Sequence, residues 1–541
     1  MRLIHNQTAP PIGGPYFGGG AIFLDGAADN EVIFGKNALV EKNEANYGGA
    51  IYSLGSVTFG EGAIIRGNRS ASQGGAIHIK GTLTLNSGSL VESNKANGTS
   101  STTYGGAFFI DGGTADISGT TIRNNETAAT GWGGAFYIQN GSLRLSNGTL
   151  VEGNQSSIGG AISANKSTIT ISDSSLKKNT ASNGGALFLA SGSLTVLGQN
   201  DGKSGTLFEG NSAVTAGGAI YAQSSSTLSF GHGTRFEGNQ ASKGGAIYAI
   251  TSTNIDLKPS FLKNNSATFA GGVYISEGSL TVHGSSSGEP ASGTLFEGNS
   301  AVTSGGAIYA TNATVSLGSG TMMERNTASY GGAIYATGST TLDITDTVFK
   351  NNSASQQGGA IYLKDGSLNF RITKTSATPA ISGNTSSTGG FLHAMNSAAV
   401  FDVDQNQHLQ IGDADYTGAD ASMDSLYLDS TSSLTKKGEG RVSINSSMDN
   451  MLGTVRVESG TLSISKHWDI KNTVTVTGGT LDSSSFSFVG DNASLTINGG
   501  TLLTDTSHIF ETALGAEGND EDAGKLKEHI DFKKGLISFN D

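Results

Sequence analysis

Residues 206–222 read TLFEGNSAVTAGGAIYA, and residues 294–310 read TLFEGNSAVTSGGAIYA. The two stretches differ at one position and begin 88 residues apart. In each, an apolar residue is followed three places later by asparagine, and a glycine pair then precedes alanine, isoleucine and tyrosine. Both halves of this pattern recur along most of the chain, so they decide the fold.

The glycine pair recurs at 14 places, at spacings of 25 to 34 residues. A period of this length predicts a repeat architecture. Most periods also hold a short alternating run such as Leu194-Thr195-Val196, which is typical of a half-buried strand. One period is therefore predicted to be a strand (GGAIY), a second (GSLTV), a third (FEGN) and a turn. The pairs begin at Gly19, Gly48, Gly74, Gly105, Gly133, Gly159, Gly184, Gly217, Gly244, Gly271, Gly305, Gly331, Gly358 and Gly389.

Three short strands per coil, stacked on their neighbours, predict an all-β chain folded as a right-handed parallel β-helix, or β-solenoid. Propeller blades need four strands in a longer period, and leucine-rich repeats fit the length but not the residues. The sequence shows no helical periodicity and no apolar run of about 18 residues that could cross a bilayer.

The composition excludes several functions. The chain has no cysteine, which excludes disulfides, thiolate metal sites and cysteine catalysis. A net charge of -13 disfavours nucleic acid and anionic lipid as partners. Gly284–Gly288 matches the serine nucleophile motif only literally, because it lies in a serine- and glycine-rich insertion. We predict no enzymatic activity and no cofactor.

Five segments are predicted along the chain. Residues 401–429 carry seven aspartates, and a calcium site is conceivable there, but their spacing fits no known calcium loop, so a solvated face is preferred. The first 30 residues lack a signal-peptide core, so we expect an excised piece of a longer precursor. The segments are a lead-in (1–18), the main β-helix repeats (19–395), aspartate-rich transition coils (396–433), a C-terminal β-solenoid with Gly-Thr-Leu repeats (434–514) and a charged linker (515–541).

The repeated asparagines are predicted to be structural. Asparagine tolerates left-handed backbone and bonds to the backbone at turns. Asparagines stacked about 4.8 Å apart can also bond to one another as a ladder. The predicted asparagine turns include Asn211, Asn239, Asn299 and Asn352.

A column of charged residues, which we call the charge ladder, follows the apolar position of the asparagine motif. Nine of its eleven neighbouring pairs have opposite signs, and the like pairs are Glu209/Glu237 and Glu297/Glu324. Facing opposite charges stabilise strand pairing, so we interpret the ladder as register control and not as a glycosidase carboxylate pair. Its members are Glu41, Arg66, Glu92, Arg123, Glu152, Lys177, Glu209, Glu237, Lys263, Glu297, Glu324 and Lys350.

A row of aromatic residues, the aromatic stripe, follows the isoleucine of the glycine motif. Because neighbouring strand residues point to opposite faces, an inward isoleucine places the next residue outward. The stripe could bind a glycan or a protein, or it could pack on itself and on loops. The insertions Gly198–Gly205 and Gly284–Gly293 are further candidate contacts. The candidate binding residues are Tyr221, Tyr248, Tyr309, Tyr335 and Tyr362.

The GGAI and Phe-x-x-Asn motifs resemble the repeats of the chlamydial polymorphic membrane proteins, which are autotransporters of the type V secretion class. Residues 434–465 are similar to the autotransporter-associated β-strand repeat. The resemblance implies a surface-exposed β-helix passenger, usually an adhesin, that is exported through a C-terminal outer-membrane barrel. The sequence shows no amphipathic barrel strands, so we expect the family's barrel to lie outside this excised passenger. The resemblance supplies no catalytic residues.

Three functions stay open. The preferred one is an adhesin whose rigid stalk presents a binding surface to a host-cell protein or glycan. The second is a polysaccharide-binding or polysaccharide-degrading β-helix of the lyase or tailspike type. The third is self-association with the same passenger on another cell. The expected location is the bacterial cell surface, at the outer membrane, with release to the medium as the alternative.

Overall fold

A computed structural model of the chain describes residues 1–6, 18–24, 30–98, 103–198, 205–284, 293–374, 380–413, 423–446, 448, 451–483, 486–489, 492–505 and 530–540. The described residues contain no helix. The chain divides into two compact units, Met1–Leu280 and Thr281–Asp541. Within each unit, short strands pair in parallel with strands one coil away, and the predicted parallel β-helix is confirmed.

Some predicted features lie outside the described residues. They are the greater part of both serine- and glycine-rich insertions, the Gly284–Gly288 motif and most of the charged linker. The five segment boundaries stay predictions.

The glycine pair turns the chain into the first face of each coil. Gly217 has a φ of 66°, a left-handed value that favours glycine. At Gly218 a Cβ atom would lie 2.0 Å from the carbonyl oxygen of Gly245 on the next coil. The first glycine therefore makes the corner, and the second lets the coils approach.

The first face carries the isoleucines and the aromatic stripe. Ile220 and Ala222 are fully buried, whereas Tyr221 between them faces outward and is half-buried. In the first unit its strands are Ile22–Leu24, Ile51–Ser53, Ile77–Ile79, Phe108–Asp111, Phe136–Gln139, Ile162–Asn165, Leu187–Ala190, Ile220–Gln223, Ile247–Ala249 and Val273–Ser276. In the second unit they are Ile308–Thr311, Ile334–Thr337, Ile361–Lys364, Leu392–Met395 and Leu426–Leu428.

The second face carries the alternating leucine runs. Leu83 and Leu85 are fully buried, and Thr82 is exposed. In the first unit its strands are Glu31–Phe34, Ser56–Phe59, Thr82–Leu85, Thr114–Ser118, Ser142–Ser146, Thr168–Ser172, Ser193–Leu197, Thr227–Phe230 and Asn254–Leu257. Ser279–Val282 crosses the boundary between the units in sequence. In the second unit they are Thr314–Leu317, Thr341–Thr345, Ser367–Ile372, Ala398–Val403, Ser433–Lys437, Thr454–Val457 and Thr473–Val476.

The third face carries the Phe-x-x-Asn motif. Phe208 and Phe236 stack inside the coils with 4.8 Å between ring centroids. Each buried phenylalanine contributes about 1.5–3 kcal/mol. In the first unit its strands are Arg2–Ile4, Leu39–Glu41, Ile64–Arg66, Leu90–Glu92, Thr121–Arg123, Leu150–Glu152, Ser175–Lys177, Leu207–Glu209, Arg235–Glu237 and Phe261–Lys263. In the second unit they are Leu295–Glu297, Met322–Glu324, Val348–Lys350, Ile381–Ser382, His408–Ile411, Arg441–Ile444, Thr461–Ile464 and Thr480–Ser483.

The structure adds a fourth short face after the asparagine, where the sequence predicted a turn. Alanines such as Ala213 point inward and are buried, which gives the segment a strand pattern. Its strands are Glu44–Tyr47, Arg69–Gln73, Lys95–Ala96, Glu126–Thr127, Thr180–Asn183, Ser212–Ala216 and Ser266–Phe269 in the first unit, and Ser300–Ser304, Thr327–Tyr330 and Ser353–Gln357 in the second.

The coils shorten toward the end of the second unit. Trp468–Ile470 pairs there with Phe486–Phe488. The long strand Ser494–Asp505 pairs through its first part with Thr473–Val476 and through its later part with Thr480–Ser483. Ile530–Asn540 pairs along the same long strand.

Lys436 is fully buried near the start of the short coils. Its Nζ atom donates to the carbonyl oxygens of Lys437 at 2.5 Å, Gly438 at 2.7 Å and Ser459 at 3.2 Å. Burial lowers the pKa of Lys436 to about 8. The side chain thus satisfies three backbone acceptors where the coil changes length.

Candidate binding surface

The asparagines of the repeat form a buried hydrogen-bonded ladder in each unit. The Nδ2 and backbone N–H groups of Asn211 both donate to Oδ1 of Asn239, at 3.0 Å each. Nδ2 of Asn211 also donates to the carbonyl oxygen of Leu176, at 2.9 Å. Asn352 bonds to Asn384 in the same way. These buried side chains link three coils and are closed to a ligand.

The left-handed residue of this turn is the one before the asparagine. Gly210 precedes Asn211 with a φ of 60°, and Asn351 precedes Asn352 with a φ of 54°. The asparagine therefore acts through its side chain and not through a left-handed backbone.

The ladder of the second unit continues from Asn384 to Asp424, a member of the aspartate-rich segment. Oδ1 of Asp424 accepts from the backbone N–H of Asn384 at 2.9 Å and from its Nδ2 at 2.8 Å, and Oδ2 accepts from the N–H of Gly383 at 2.7 Å. Asp424 is 1% exposed, so the interpretation as a solvated face is wrong at this residue. Burial raises the pKa of its carboxyl. Asp415 and Asp420 lie outside the described residues, which themselves hold no cluster fit for a metal ion.

The charged residues stand in register on the third face of each unit. Arg66 bonds to Glu41 at 3.1 Å and Arg123 to Glu92 at 2.8 Å, each pair in register on neighbouring strands. Glu152 lies opposite Lys177 but forms an ion pair with the next residue, Lys178, at 3.4 Å.

At each place where two glutamates of the ladder face each other, an arginine outside the ladder bonds to one or both of them. Glu209 and Glu237 face each other in register, and Arg235 bonds to Glu237 at 2.8 Å. The pKa of the Glu209 carboxyl is lowered by its bond to Lys177 and further by the charge of Arg235.

In the second unit, Arg325 lies beside the like-charged pair of the ladder. Glu297 and Glu324 face each other, and the guanidinium of Arg325 bonds to Glu297 and, at 2.6 Å, to Glu324. Sequence reasoning missed both arginines because neither occupies the ladder position.

The aromatic stripe of the second unit is a continuous stack. Tyr309 and Tyr335 have ring centroids 4.9 Å apart, and Tyr335 and Tyr362 are also 4.9 Å apart with nearly parallel planes. His393 continues the stack 5.2 Å from Tyr362, and Tyr427, which the sequence pattern missed, lies 4.2 Å from His393. The ring faces are occupied by neighbouring rings.

The stripe of the first unit runs in two stretches. Tyr221 and Tyr248 have centroids 4.9 Å apart, and Tyr274, absent from the predicted set, follows at 4.8 Å. The other stretch runs through Phe23, Tyr52, His78, Phe109 and Tyr137. Ser163 separates the stretches.

Burial raises the pKa of Tyr221, Tyr248, Tyr309 and Tyr362, and it raises the pKa of Tyr137 and Tyr335 to about 12. They therefore stay protonated at physiological pH. Since stacking covers the ring faces, the stripe offers ring edges and hydroxyl groups to a partner, and not flat platforms.

Comparison with known families identifies the repeat. The model of the Chlamydia polymorphic membrane protein repeat matches residues 205–223, 233–250, 293–311 and 346–364. The chain carries polymorphic membrane protein repeats. No curated protein and no solved structure gives a significant match to the chain.

Each matched polymorphic membrane protein repeat covers the same part of a coil. It runs from the third face through the asparagine to the first face. The first match thus holds Glu209, Asn211 and Tyr221, one member of each of the three columns. The predicted resemblance is confirmed for these repeats, and the similarity of residues 434–465 to the autotransporter-associated repeat stays a prediction. Among the described residues no helix is long and apolar enough to cross a bilayer.

Proposed function

We propose that this chain is the passenger part of an autotransporter and acts as an adhesin at the bacterial cell surface. The observation that carries the proposal is the polymorphic membrane protein repeat, which recurs four times within β-solenoid coils. The family is one of outer-membrane surface proteins. A solenoid suits this role because its side chains repeat in columns, which present many weak contacts at once.

The proposed partner is a protein or glycan of a host cell, and the tyrosine columns supply the proposed contacts. Tyr221, Tyr248 and Tyr309 are half-buried with outward positions on the first face. Their protonated hydroxyls can donate and accept hydrogen bonds along the column.

We propose binding without catalysis. The charged residues of the third face support this, because they are paired along a ladder and do not stand apart as an acid and a base. A lyase or glycosidase needs a local carboxylate group in a groove, with the pKa values of its members pushed apart.

Binding of the labelled chain to host cells tests the proposal, with polysaccharide cleavage followed in the same wells. We expect saturable binding and no cleavage. The triple variant Tyr221→Phe, Tyr248→Phe and Tyr309→Phe removes hydroxyls and keeps the stack, so cell binding should weaken while the melting temperature holds. Tyr47→Phe, outside the stripe, is the matched control. No saturable binding to any host cell, or release of sugar from a polysaccharide, would contradict the proposal.

A further inference from the structure

A polar groove of about 540 Å³ lies on the second unit, at the corner between its first and second faces. Its lining comes from four successive coils and includes Thr341, Asp365, Ser367, Asn396 and Ser433. The volume is in the range of small-molecule binding sites.

Strand register aligns the groove with the direction of coil stacking. Thr341 pairs with Ser367, Ser367 with Ala398, and Ala398 with Ser433. Neighbouring strands lie about 4.8 Å apart. Ala398 interrupts this column, but each of the four coils presents at least one hydroxyl, amide or carboxylate group to the groove, which suits a ligand that is itself a chain of similar units.

The polar groups of the groove are held in place. Nδ2 of Asn396 donates to Oδ1 of Asp365 at 2.8 Å, and the backbone N–H of Asn396 donates to Oδ1 of Asp429 at 3.2 Å. The hydroxyls of Thr431 and Ser432 donate to Asp429 at 2.9 and 2.6 Å. Binding therefore costs little ordering of these side chains.

The aromatic stripe passes close to the groove at Tyr362. The Tyr362 hydroxyl donates to Sδ of Met395 at 3.2 Å, and Met395 directly precedes Asn396. The pKa of Tyr362 is raised mainly by burial, and the carboxylates of Asp365 and Asp429 add to the rise. Ring edges and planar polar groups thus occur together on one surface.

The chemistry of the lining selects the ligand class. The described lining consists of serine, threonine, asparagine, aspartate, glycine and one alanine, without lysine or arginine. Asp365 and the overall charge of -13 oppose an anionic ligand such as a sulfated or sialylated glycan. The lining offers no large apolar pocket for a peptide side chain. Hydroxyls, amides and carboxylates match the vicinal hydroxyls of a neutral sugar.

We propose that this groove binds an extended neutral oligosaccharide, with one sugar at each coil. A β-1,4-linked chain is favoured because the length that each of its sugars adds is similar to the coil spacing. The inference rests on the proposed adhesion and names a ligand class for it. Asp365 and Asn396 are its central contacts.

Calorimetric titration of the whole chain with cellohexaose and with chitohexaose tests the groove, and a heparin-derived hexasaccharide is the anionic comparison. Asp365 and Asn396 have φ values of 57° and 46°, so glycine fits both positions without strain. The double variant Asp365→Gly, Asn396→Gly should bind the neutral hexasaccharide about ten-fold more weakly. Asn140→Gly is the matched control, because Asn140 has a φ of 53° at the same corner of the first unit.

The oligosaccharide proposal would be overturned by any of three results. They are unchanged affinity in the double variant, no heat with either neutral hexasaccharide, and tighter binding of the heparin fragment. A circular dichroism melt of each variant verifies folding. Calorimetry alone judges the groove, and the host-cell assay alone judges the adhesin proposal, so the two can fail separately.

Discussion

Ser163 shows how one residue of the stripe depends on a side chain from another face. It occupies the stripe position between Tyr137 and Phe188, and it is 1% exposed although its own side chain is small. The indole of Trp132 fills the space, with edge contacts to Phe188 at 5.8 Å and Tyr137 at 6.2 Å. The gap in the sequence pattern is therefore closed in the structure.

Substitutions of Ser163 and Trp132 should have strongly coupled effects on the free energy of unfolding. Ser163→Tyr alone overpacks the site and should cost about 1–3 kcal/mol, and Trp132→Ala alone leaves a cavity and should cost about 3 kcal/mol. The double variant should be more stable than the sum of the two changes predicts, by about 1 kcal/mol or more. Urea unfolding measures all three free energies. Additive effects would mean that Trp132 does not fill the Ser163 position.

Two histidines of the stripe are buried between aromatic rings, one in each unit. His78 lies between Tyr52 and Phe109, and its ring nitrogens have no partner among the described residues. His393 lies between Tyr362 and Tyr427. Burial lowers the pKa of each histidine to about 4.

Acid should therefore destabilise the chain. The unfolded histidine titrates near 6.5 and the folded one near 4, so the unfolded state binds the proton more tightly between these values. The contribution of these histidines to the free energy of unfolding should be fully present above pH 6.5. It should fall by about 3 kcal/mol per histidine as the pH decreases toward 4. Thermal melts across this range measure the loss.

The variants His78→Phe and His393→Phe keep the stack and should flatten the pH profile. The exposed His467 gives the control, His467→Phe. An unchanged profile in the stripe variants would show that other groups govern the acid response.

At the scale of the element, the charge ladder places charged residues in register on neighbouring strands, with like charges facing each other at two steps. Its sequence predicted the column and the two like-charge steps, and the structure places Arg235 and Arg325 beside those steps. The column could be predicted because its residues recur at a fixed place in the repeat. The arginines that relieve the like-charge repulsion could not, because finding them requires knowing which strands face each other.

Removal of Arg235 should expose the repulsion between Glu209 and Glu237. Arg235→Gln should cost roughly 0.5–1 kcal/mol at low salt, since exposed charge pairs contribute about that much, and the cost should shrink at high salt. Lys166→Gln, at an exposed position between the strands Ile162–Asn165 and Thr168–Ser172, is the control. Urea unfolding at two salt concentrations compares them, and equal effects of both changes would contradict the role of Arg235.

At the scale of the molecule, each unit is held by columns that run from coil to coil. The period, the inward isoleucines and leucines, and the charge ladder could be predicted, because strand alternation follows from local sequence. The fourth face, the burial of Asp424 and the buried Lys436 could not. Each depends on a neighbouring coil that lies 20 or more residues away, and on where the coil length changes.

A break in an asparagine column should weaken a whole unit. Asn154→Ala removes the acceptor of two buried donors of Asn125 and the Nδ2 donor to Asn179, so we expect a loss of about 2–3 kcal/mol. Asn46, exposed on the fourth face, gives the control, and Asn46→Ala should stay within about 0.5 kcal/mol. Denaturant unfolding compares the two, and a similar small effect for both would show that the column contributes little.

The asparagine column also has a direction. Within each unit, the side-chain amides of the column direct one Nδ2–H bond to the coil that follows in sequence, as Asn211 does to Asn239 and Asn384 does to Asp424, while their Oδ1 atoms accept from the coil before. The amide dipoles therefore add, with their positive ends toward the C-terminal side, by the same summation that gives a helix its macrodipole. In the second unit that positive end meets a carboxylate, which can only accept. The column is thus a row of aligned dipoles that ends at the Asp424 carboxylate, and an added coil can extend it in one orientation only.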